Sequence, residues 1–314
     1  MERELRLGPR QLLYFLVLAE ELNFSRAAER LHMSQPPLSK QIKQLEQELG
    51  CRLFERVGRG VLLTEAGRLL LGEAYRILDQ IEQTQNLVRR AGRGEIGQIT
   101  LGFTPSAANV VLPSVLGGFT VRYPEVELSL HEMKADELVE RLDDKWLDVA
   151  FLYLPFDDDR YHCEVVLSER LILALPDGHP LASQATVGMT ELADEPFILP
   201  LRHRHMPGLH GQITAVCRES GFVPRAVQRG VWQMQTILGL VGGGIGLALV
   251  PETFRDLPRK GVTYKYLRDL DPVVQMGVVW RRDDTVPVLD SFLGTVRKVA
   301  ESFAGGRLVY QAPD

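Results

Sequence analysis

Ser34-Gln35-Pro36-Pro37-Leu38-Ser39-Lys40-Gln41-Ile42-Lys43-Gln44-Leu45-Glu46-Gln47-Glu48-Leu49-Gly50 is the stretch that decides the fold. Leu38, Ile42, Leu45 and Leu49 recur at steps of four and three, which gives one apolar helical face, and Gly50 ends the helix. Ser34 can cap its start. Pro36 and Pro37 fit a first turn whose N–H groups lack partners in any case. Gln35, Ser39, Lys40 and Lys43 fall off the apolar stripe and crowd toward the N-terminal end. Upstream, Leu12, Phe15, Leu16, Ala19 and Leu22 carry the helical period through Gln11–Leu22. Ala27, Ala28 and Leu31 then form the inner face of a short helix that Ser25 can cap, and His32-Met33-Ser34 is the turn into the quoted helix.

Two short helices joined by a tight turn, the second opening with amide, hydroxyl and ammonium groups, describe a helix-turn-helix whose second helix enters the major groove of double-stranded DNA. Gln can bond adenine at two points, Ser can meet a base or a phosphate, and Lys neutralises phosphate or reads guanine. Downstream, Arg52, Arg56 and Arg59 surround Val57-Gly58-Arg59-Gly60-Val61, a hairpin-like turn that reads as a wing on the flanking backbone. The same polar residues could merely solvate a three-helix bundle, but the arginines and the polarity of the helix would then be coincidences.

Phe24-Ser25-Arg26-Ala27-Ala28-Glu29-Arg30-Leu31, Ser34 to Ile42, Leu45-Glu46-Gln47-Glu48-Leu49-Gly50, Leu53-Phe54-Glu55-Arg56 and Leu63-Thr64-Glu65-Ala66-Gly67 together resemble the N-terminal signature of LysR-type transcriptional regulators. The resemblance implies that Gln35, Pro36, Ser39 and Lys40 face DNA, with Ser25 and Arg26 on the backbone. The full candidate set is Ser25, Arg26, Ser34, Gln35, Pro36, Pro37, Ser39, Lys40, Lys43, Arg52, Arg56 and Arg59. Many members of that family have alanine where this chain has Pro37.

From Thr64, a cap, to about Ala91 no Gly or Pro follows Gly72, and Leu70, Ala74, Ile77, Ile81, Thr84, Val88 and Ala91 alternate steps of four and three. That is a heptad seam, and it predicts self-association as a homodimer or homotetramer, although a helix packed on its own domain would also use an apolar stripe. Two yoked heads would favour a palindromic site. Gly92-Arg93-Gly94 and Gly97 mark a hinge.

Beyond the hinge, strands at Ile99–Phe103, Glu127–Glu132 and Asp148–Tyr153 alternate with helices at about Asn109–Tyr123 and Asp136–Asp143. A second set starts near Val165: strands Leu171–Leu175, Pro196–Leu199, Ala226–Val231 and Gly246–Val250, with helices Leu209–Ser220 and Gln233–Val241 between them. Two α/β lobes with mostly parallel sheets and a ligand crevice follow, and Val273–Trp280 with helix Pro287–Ser302 should return to the first lobe. Gly102-Phe103-Thr104-Pro105-Ser106, Leu112-Pro113, Tyr123-Pro124, Leu147 to Phe151 and Leu238 to Pro251 resemble the effector-binding half of the same regulators, which is similar to two-lobed periplasmic solute-binding proteins. The implied fold is an α+β multidomain chain: a winged helix-turn-helix over 1–63, a linker helix and hinge over 64–94, a two-lobed α/β effector domain over 95–304 and a tail over 305–314. Within the family the pattern looks closest to regulators of aromatic-acid degradation, and the family leaves room for RNA polymerase as a further partner.

Thr104, Pro105 and Ser106 form a strand-to-helix turn where orphan N–H groups and hydroxyls favour an anion, although either hydroxyl could simply cap the helix. Arg202, His203 and Arg204, with His205, could pair with an organic acid from the other side, or belong to a solvated loop. Ala135 stands where many relatives carry Thr or Ser. No cofactor is implied. His203, His205 and His210 lack Cys or carboxylate company, so no metal is expected, and Asp157-Asp158-Asp159 reads as a solvated loop. GxSxG, HExxH and GxxxxGK[ST] are all missing, and Gly242-Gly243-Gly244-Ile245-Gly246 reads as packing glycines, so an enzyme is not expected. An enzyme fused to a DNA-binding head, or a DNA-binding regulator without an effector, are the rival readings.

The bulk numbers fit. A chain of 314 residues with 45% apolar and 25% charged residues is an ordinary globular one of two or three domains. Its formal charge of −5 hides a partition: residues 1–94 carry 15 basic and 12 acidic side chains, against 21 and 29 in the remainder. Met234 to Pro251, the longest uncharged run, is too short and glycine-rich for a membrane span, and MERELRLGPR has no apolar signal core, so a cytoplasmic, membrane-free protein is expected. Cys51, Cys163 and Cys217 are expected to be reduced and mostly buried.

Overall fold

The computed structural model describes residues 7–58, 60–156, 158–204, 206, 208–257 and 259–304. The chain divides into two compact units between Arg90 and Ala91.

The first unit opens with α1 (Pro9–Glu21), α2 (Phe24–Arg30) and α3 (Gln35–Leu49), followed by the hairpin β1 (Phe54–Val57) and β2 (Gly60–Leu63) and the long helix α4 (Glu65–Gly92). Leu12, Phe15, Leu18, Leu38, Ile42 and Leu45 meet in its core with the small Ala27 and Ala28 of α2. Two details differ from the sequence reading. Asn23, not Ser25, caps α2, its Oδ1 accepting from the backbone N–H groups of Ser25 at 2.9 Å and Arg26 at 3.2 Å. Leu49 is exposed and takes no part in the buried stripe, because the left-handed cap at Gly50 comes directly after it.

Helix α4 runs 28 residues, about 42 Å at 1.5 Å per residue. Thr64 caps it through Oγ1, which accepts from Gly67 N–H at 3.0 Å. Gly67 is required there: a Cβ would lie 2.3 Å from the Leu53 carbonyl oxygen. The apolar stripe of α4 is divided in use. Ala74 is fully buried and Leu70 packs beside it in the unit's own core. Further along, Ile77 and Val88 are exposed, Val88 to 66%.

In the second unit β3 (Gly97–Phe103), β4 (Val126–Glu132) and β5 (Val149–Tyr153) pair in parallel. Around them lie α5 (Pro105–Val110), α6 (Leu112–Arg122) and α7 (Ala135–Asp143). The single helix expected over Asn109–Tyr123 is two, α5 and α6, broken at Val111. The strand expected over Leu171–Leu175 is the second part of a 16-residue strand, β6 (Tyr161–Pro176), whose first part is absent from the expected strands. Its first part, to Arg170, pairs antiparallel with β12 (Val273–Arg281), and β12 pairs antiparallel with β5, which closes lobe I. From Leu171 onward β6 pairs antiparallel with β10 (Ala248–Pro251) and β11 (Val262–Leu267) of lobe II.

β6 is therefore a shared strand between the lobes, and the sheet is mixed, not mostly parallel. Lobe II adds the short β7 (Thr186–Val187), which pairs with β11, and the parallel pair β8 (Pro196–Pro200) and β9 (Arg225–Val231), with α8 (Gly208–Glu219) and α9 (Met234–Gly242). β11 is absent from the expected strands although its Val-Thr-Tyr-Lys-Tyr-Leu run is rich in strand formers. Gly246 packs as expected of the glycine run, since a Cβ there would meet the Pro196 carbonyl oxygen at 2.6 Å. The last helix, α10 (Pro287–Ala304), returns to lobe I, where Phe292 meets Phe119 and Phe151 edge-on. Cys51 and Cys163 are exposed; Cys217 alone of the three is buried, and burial pushes its thiol up to about 11. Arg59, Asp157, His205 and the tail 305–314 lie outside the described residues.

Candidate nucleic-acid interface and effector cleft

The turn between α2 and α3 is closed by backbone bonds from His32 N–H to Glu29 and from Met33 N–H to Ala28, with His32 in the left-handed region at φ 52°. This turn fixes the angle at which α3 leaves. The side chain of Ser34 makes no capping bond, and Pro36 and Pro37 carry no N–H, so the opening turn of α3 is only lightly engaged by the protein itself. Ser34, Gln35, Pro36, Pro37, Lys40 and Lys43 are exposed there, Ser39 is half-buried, and Ser25 Oγ lies 3.4 Å from Gln35 Oε1.

Lys40 and Lys43, and Arg52 and Arg56 around the hairpin, have no carboxylate partner among the described residues, so their charge is available to a polyanion. Arg26 differs: its guanidinium folds back onto Glu21, with Nε 3.3 Å from Oε2, and must leave that pair to reach a phosphate. The hairpin expected as a wing is present in full register, Phe54 opposite Leu63 and Val57 opposite Gly60.

In the second unit a cavity of about 90 Å³ opens between the lobes. Pro105, Ser106, Asn109 and Glu132 line it from lobe I, and Gln233 and Phe254 from lobe II. Next to it, Thr104 caps α5 by position only: its Oγ1 is buried and has no hydrogen-bond partner among the described residues. Behind Ser106 lies a buried polar chain. The Ser106 hydroxyl reaches the Tyr153 phenol, which donates to Glu169 Oε1 at 3.2 Å. Glu169 Oε2 accepts from Thr253 Oγ1 at 2.6 Å and from Thr253 N–H at 3.1 Å.

Glu169 is 8% exposed and has no cation beside it among the described residues, so burial raises its carboxyl above the usual range although the Thr253 bonds oppose the shift. Burial, and then the nearby Glu169, raise the Tyr153 phenol well above its ordinary value. Sequence reasoning missed both. A signal existed for Glu169, since Leu167, Glu169 and Leu171 share the inward face of one strand and a lone acid in that series requires partners.

The cationic residues expected to complete this cleft are elsewhere. Arg202 lines a different cavity, between α8 and β9. His203 Nδ1 lies 3.4 Å from Asp136 Oδ2, and the Arg204 backbone N–H donates to Asp136 Oδ1 at 3.0 Å. The segment after β8 is thus a strap: it leaves lobe II, grips the start of α7, and buries Met206 among Leu138, Leu142, Leu152 and Leu154 of lobe I. Among the described residues no helix is long and apolar enough to cross a membrane, and no group of His, Cys, Asp or Glu is placed to hold a metal.

A helix-turn-helix head with a wing, followed by a two-lobed α/β unit with a cleft, defines a ligand-responsive DNA-binding regulator. The chain belongs to the LysR family: residues 9–68 match the bacterial regulatory helix-turn-helix protein of the lysR family, and residues 92–301 match the LysR substrate binding domain. It is 36% identical over 284 residues to the HTH-type transcriptional regulator AlsR of Bacillus subtilis (strain 168), covering 90% of this chain and 93% of that one. To the HTH-type transcriptional regulator CatR of Pseudomonas putida it is 37% identical over 295 residues, 93% of this chain and 99% of the other. Its structure is similar, with a TM-score of 0.74 and 28% identity, to full-length CbnR complexed with its target DNA, covering 94% of this chain and 100% of that one. The protein is a DNA-binding transcriptional regulator with an effector-binding domain, and not an enzyme.

Proposed function

We infer that the regulator works in the cytoplasm as a homo-oligomer whose basic unit is a dimer joined along α4, and that it reads a palindromic promoter site. The face formed by Ile77, Ile81, Thr84, Val88 and Ala91, exposed except at the half-buried Ile81, supports the pairing, since apolar side chains at heptad spacing gain most by packing on a second copy. A helix of this length suits two heads set about one DNA turn, roughly 34 Å, or a multiple apart. The base-reading set is then Gln35, Ser39 and Lys40, with Ser25, Ser34, Lys43, Arg52 and Arg56 toward the backbone.

The effector is a small organic acid held in the inter-lobe cavity. One observation carries this reading: the buried Thr104 hydroxyl without a partner, one residue from Pro105 and two from Ser106 at the wall of the cavity. A carboxylate at this turn would give that donor the partner it lacks. Phe254 on the facing lobe suits an aromatic or short aliphatic body, and Glu132 suits a hydroxyl or amine on its far side. Binding that touches both lobes favours one arrangement of them, which is the condition for a regulatory response. Thermal-shift measurement with a panel of small aliphatic and aromatic acids tests it. An acid that raises Tm should lose much of its effect in Thr104→Val and Ser106→Ala, and acids that shift wild type and both variants equally would remove the assignment.

A further inference from the structure

Three arginines of lobe II, Arg202, Arg218 and Arg229, meet around a cavity of about 230 Å³ that shares no lining residue with the inter-lobe cavity. They come from three elements: the segment after β8, the last turn of α8, and β9. His210, Thr214 and Arg218 follow one another at four-residue steps along the side of α8 that lines it. No carboxylate pairs with any of the three guanidiniums among the described residues; Arg160, Arg170, Arg268, Arg281 and Arg297 of the same unit have acidic partners, Arg122, Arg141, Arg225, Arg255, Arg259 and Arg282 do not, and what distinguishes Arg202, Arg218 and Arg229 is that all three line one concavity. In a part of the chain with 29 acidic side chains to 21 basic ones, such a cluster is not a consequence of composition. Like charges around one concavity repel each other, and their field is focused where an anion would sit.

We propose that this concavity is a second anion-binding site, distinct from the effector cleft, that takes a small organic polyanion bearing two or more carboxylate or phosphate groups. Guanidinium forks pair with such groups bidentately, and three of them from separate elements match a ligand with separated charges better than a single inorganic ion. The concave shape, with Pro200 and Pro224 in its wall, fits a compact guest better than a flat protein face. Burial, and then Arg202 and Arg229, lower the pKa of His210, so its ring is neutral near pH 7 and adds no further repulsion until an anion arrives. Arg202 also begins the strap whose next residues, His203 and Arg204, hold Asp136 of lobe I. Occupancy that draws Arg202 toward β9 therefore acts on a contact between the lobes, and makes the site a second input to the same switch.

The test uses the full chain with citrate, pyrophosphate and inorganic phosphate as probes, by calorimetric titration and thermal shift. Citrate or pyrophosphate should bind and raise Tm, more strongly than inorganic phosphate at equal concentration. Arg218→Gln and Arg229→Gln, both exposed positions, should each weaken binding about tenfold or more. In low salt without a probe, the same variants should melt no lower than wild type, because they relieve repulsion. Ser106→Ala should retain polyanion binding that the arginine variants lose, which separates this site from the cleft. Equal binding by wild type and the Arg202→Gln/Arg218→Gln/Arg229→Gln variant overturns the proposal, as does the absence of any binding. A change in sedimentation of that variant without change in polyanion binding also overturns it, and identifies the cluster as a contact for an acidic face of a second copy.

Discussion

Gln35→Ala isolates base reading from every other contribution to DNA binding. Gln35 is the first residue of α3, exposed, with only a 3.4 Å contact from Ser25 Oγ, so its removal costs the fold almost nothing and Tm should stay within about a degree of wild type. A bidentate amide-to-base pair is worth about 1 to 3 kcal/mol of discrimination. Two protomers on a two-fold site double this to about 2 to 6 kcal/mol, which is roughly thirtyfold to twenty-thousandfold at 1.4 kcal/mol per tenfold. Because Gln35 is uncharged, the loss should fall on the operator alone. Affinity for a scrambled duplex and the slope of log affinity against log salt should both hold. Lys40→Gln supplies the contrast, lowering affinity for both duplexes together and reducing the slope by about 0.9 for each phosphate no longer neutralised. Fluorescence anisotropy with both duplexes across a salt series measures all of these. If Gln35→Ala weakens operator and scrambled DNA by the same factor, α3 does not read bases through its first turn.

Three further outcomes follow from the packing. Asn23→Ala removes the acceptor for two backbone N–H groups and should cost about 0.5 to 2 kcal/mol of head stability, seen as a lower urea midpoint, while Ser25→Ala costs less in the same assay. Val88→Asp places a charge on a face that is open in the single chain, so each protomer should fold normally; in a paired seam the unpaired charges cost about 3 to 5 kcal/mol, and sedimentation should show dissociation together with loss of operator binding. Glu169 has a raised folded-state pKa, so its contribution is fully present below the ordinary carboxylate range and is lost as pH rises through the raised value; Glu169→Gln should flatten the fall in Tm between pH 4 and neutrality, and an unchanged pH profile would mean the carboxyl is not the group responsible.

The helical parts of the head are legible in sequence because their apolar residues repeat at a period only a helix can bury. The cap of α2 is less so: Asn23 and Ser25 are both good caps, and the choice depends on whether Phe24 is already helical, which tertiary packing decides. In the second unit the alternation of strands and helices is visible, but the strand expected there begins only at Leu171, after the polar run Ser168-Glu169-Arg170. That run is the middle of β6, and its polarity is tolerated because Thr253 and Tyr153 come from distant parts of the chain to bond Glu169. The cleft is half visible for the same reason. Ser106 lies in a local turn motif, while Glu132, Gln233 and Phe254 join it only through the topology of the lobes. The basic run Arg202-His203-Arg204 reads as one feature in sequence. The run leaves β8 and crosses between the lobes, so the Arg202 side chain lines a cavity of lobe II, while the His203 ring and the Arg204 backbone N–H meet Asp136.

That division bears on how a ligand could move the molecule. Among the described residues, and besides the second chain crossing after β11, the lobes are connected by β6, by the Tyr153–Glu169–Thr253 chain, by His203, Arg204 and Met206 of the strap, by Gln212, whose Nε2 donates to the Leu154 carbonyl, and by Lys134, whose Nζ lies 5.8 Å over the ring of Trp232. β6 is continuous hydrogen-bonded sheet and deforms little. The remaining contacts are few, polar apart from Met206, and each polar one is worth about as much as a typical bound-state preference of 1 to 3 kcal/mol. A ligand in the cleft touches the first of them through Ser106, and an anion on Arg202 touches the strap. Either can therefore shift the balance between lobe arrangements without breaking the core of either lobe, and because both act on one equilibrium, each must change the apparent affinity of the other by the same factor.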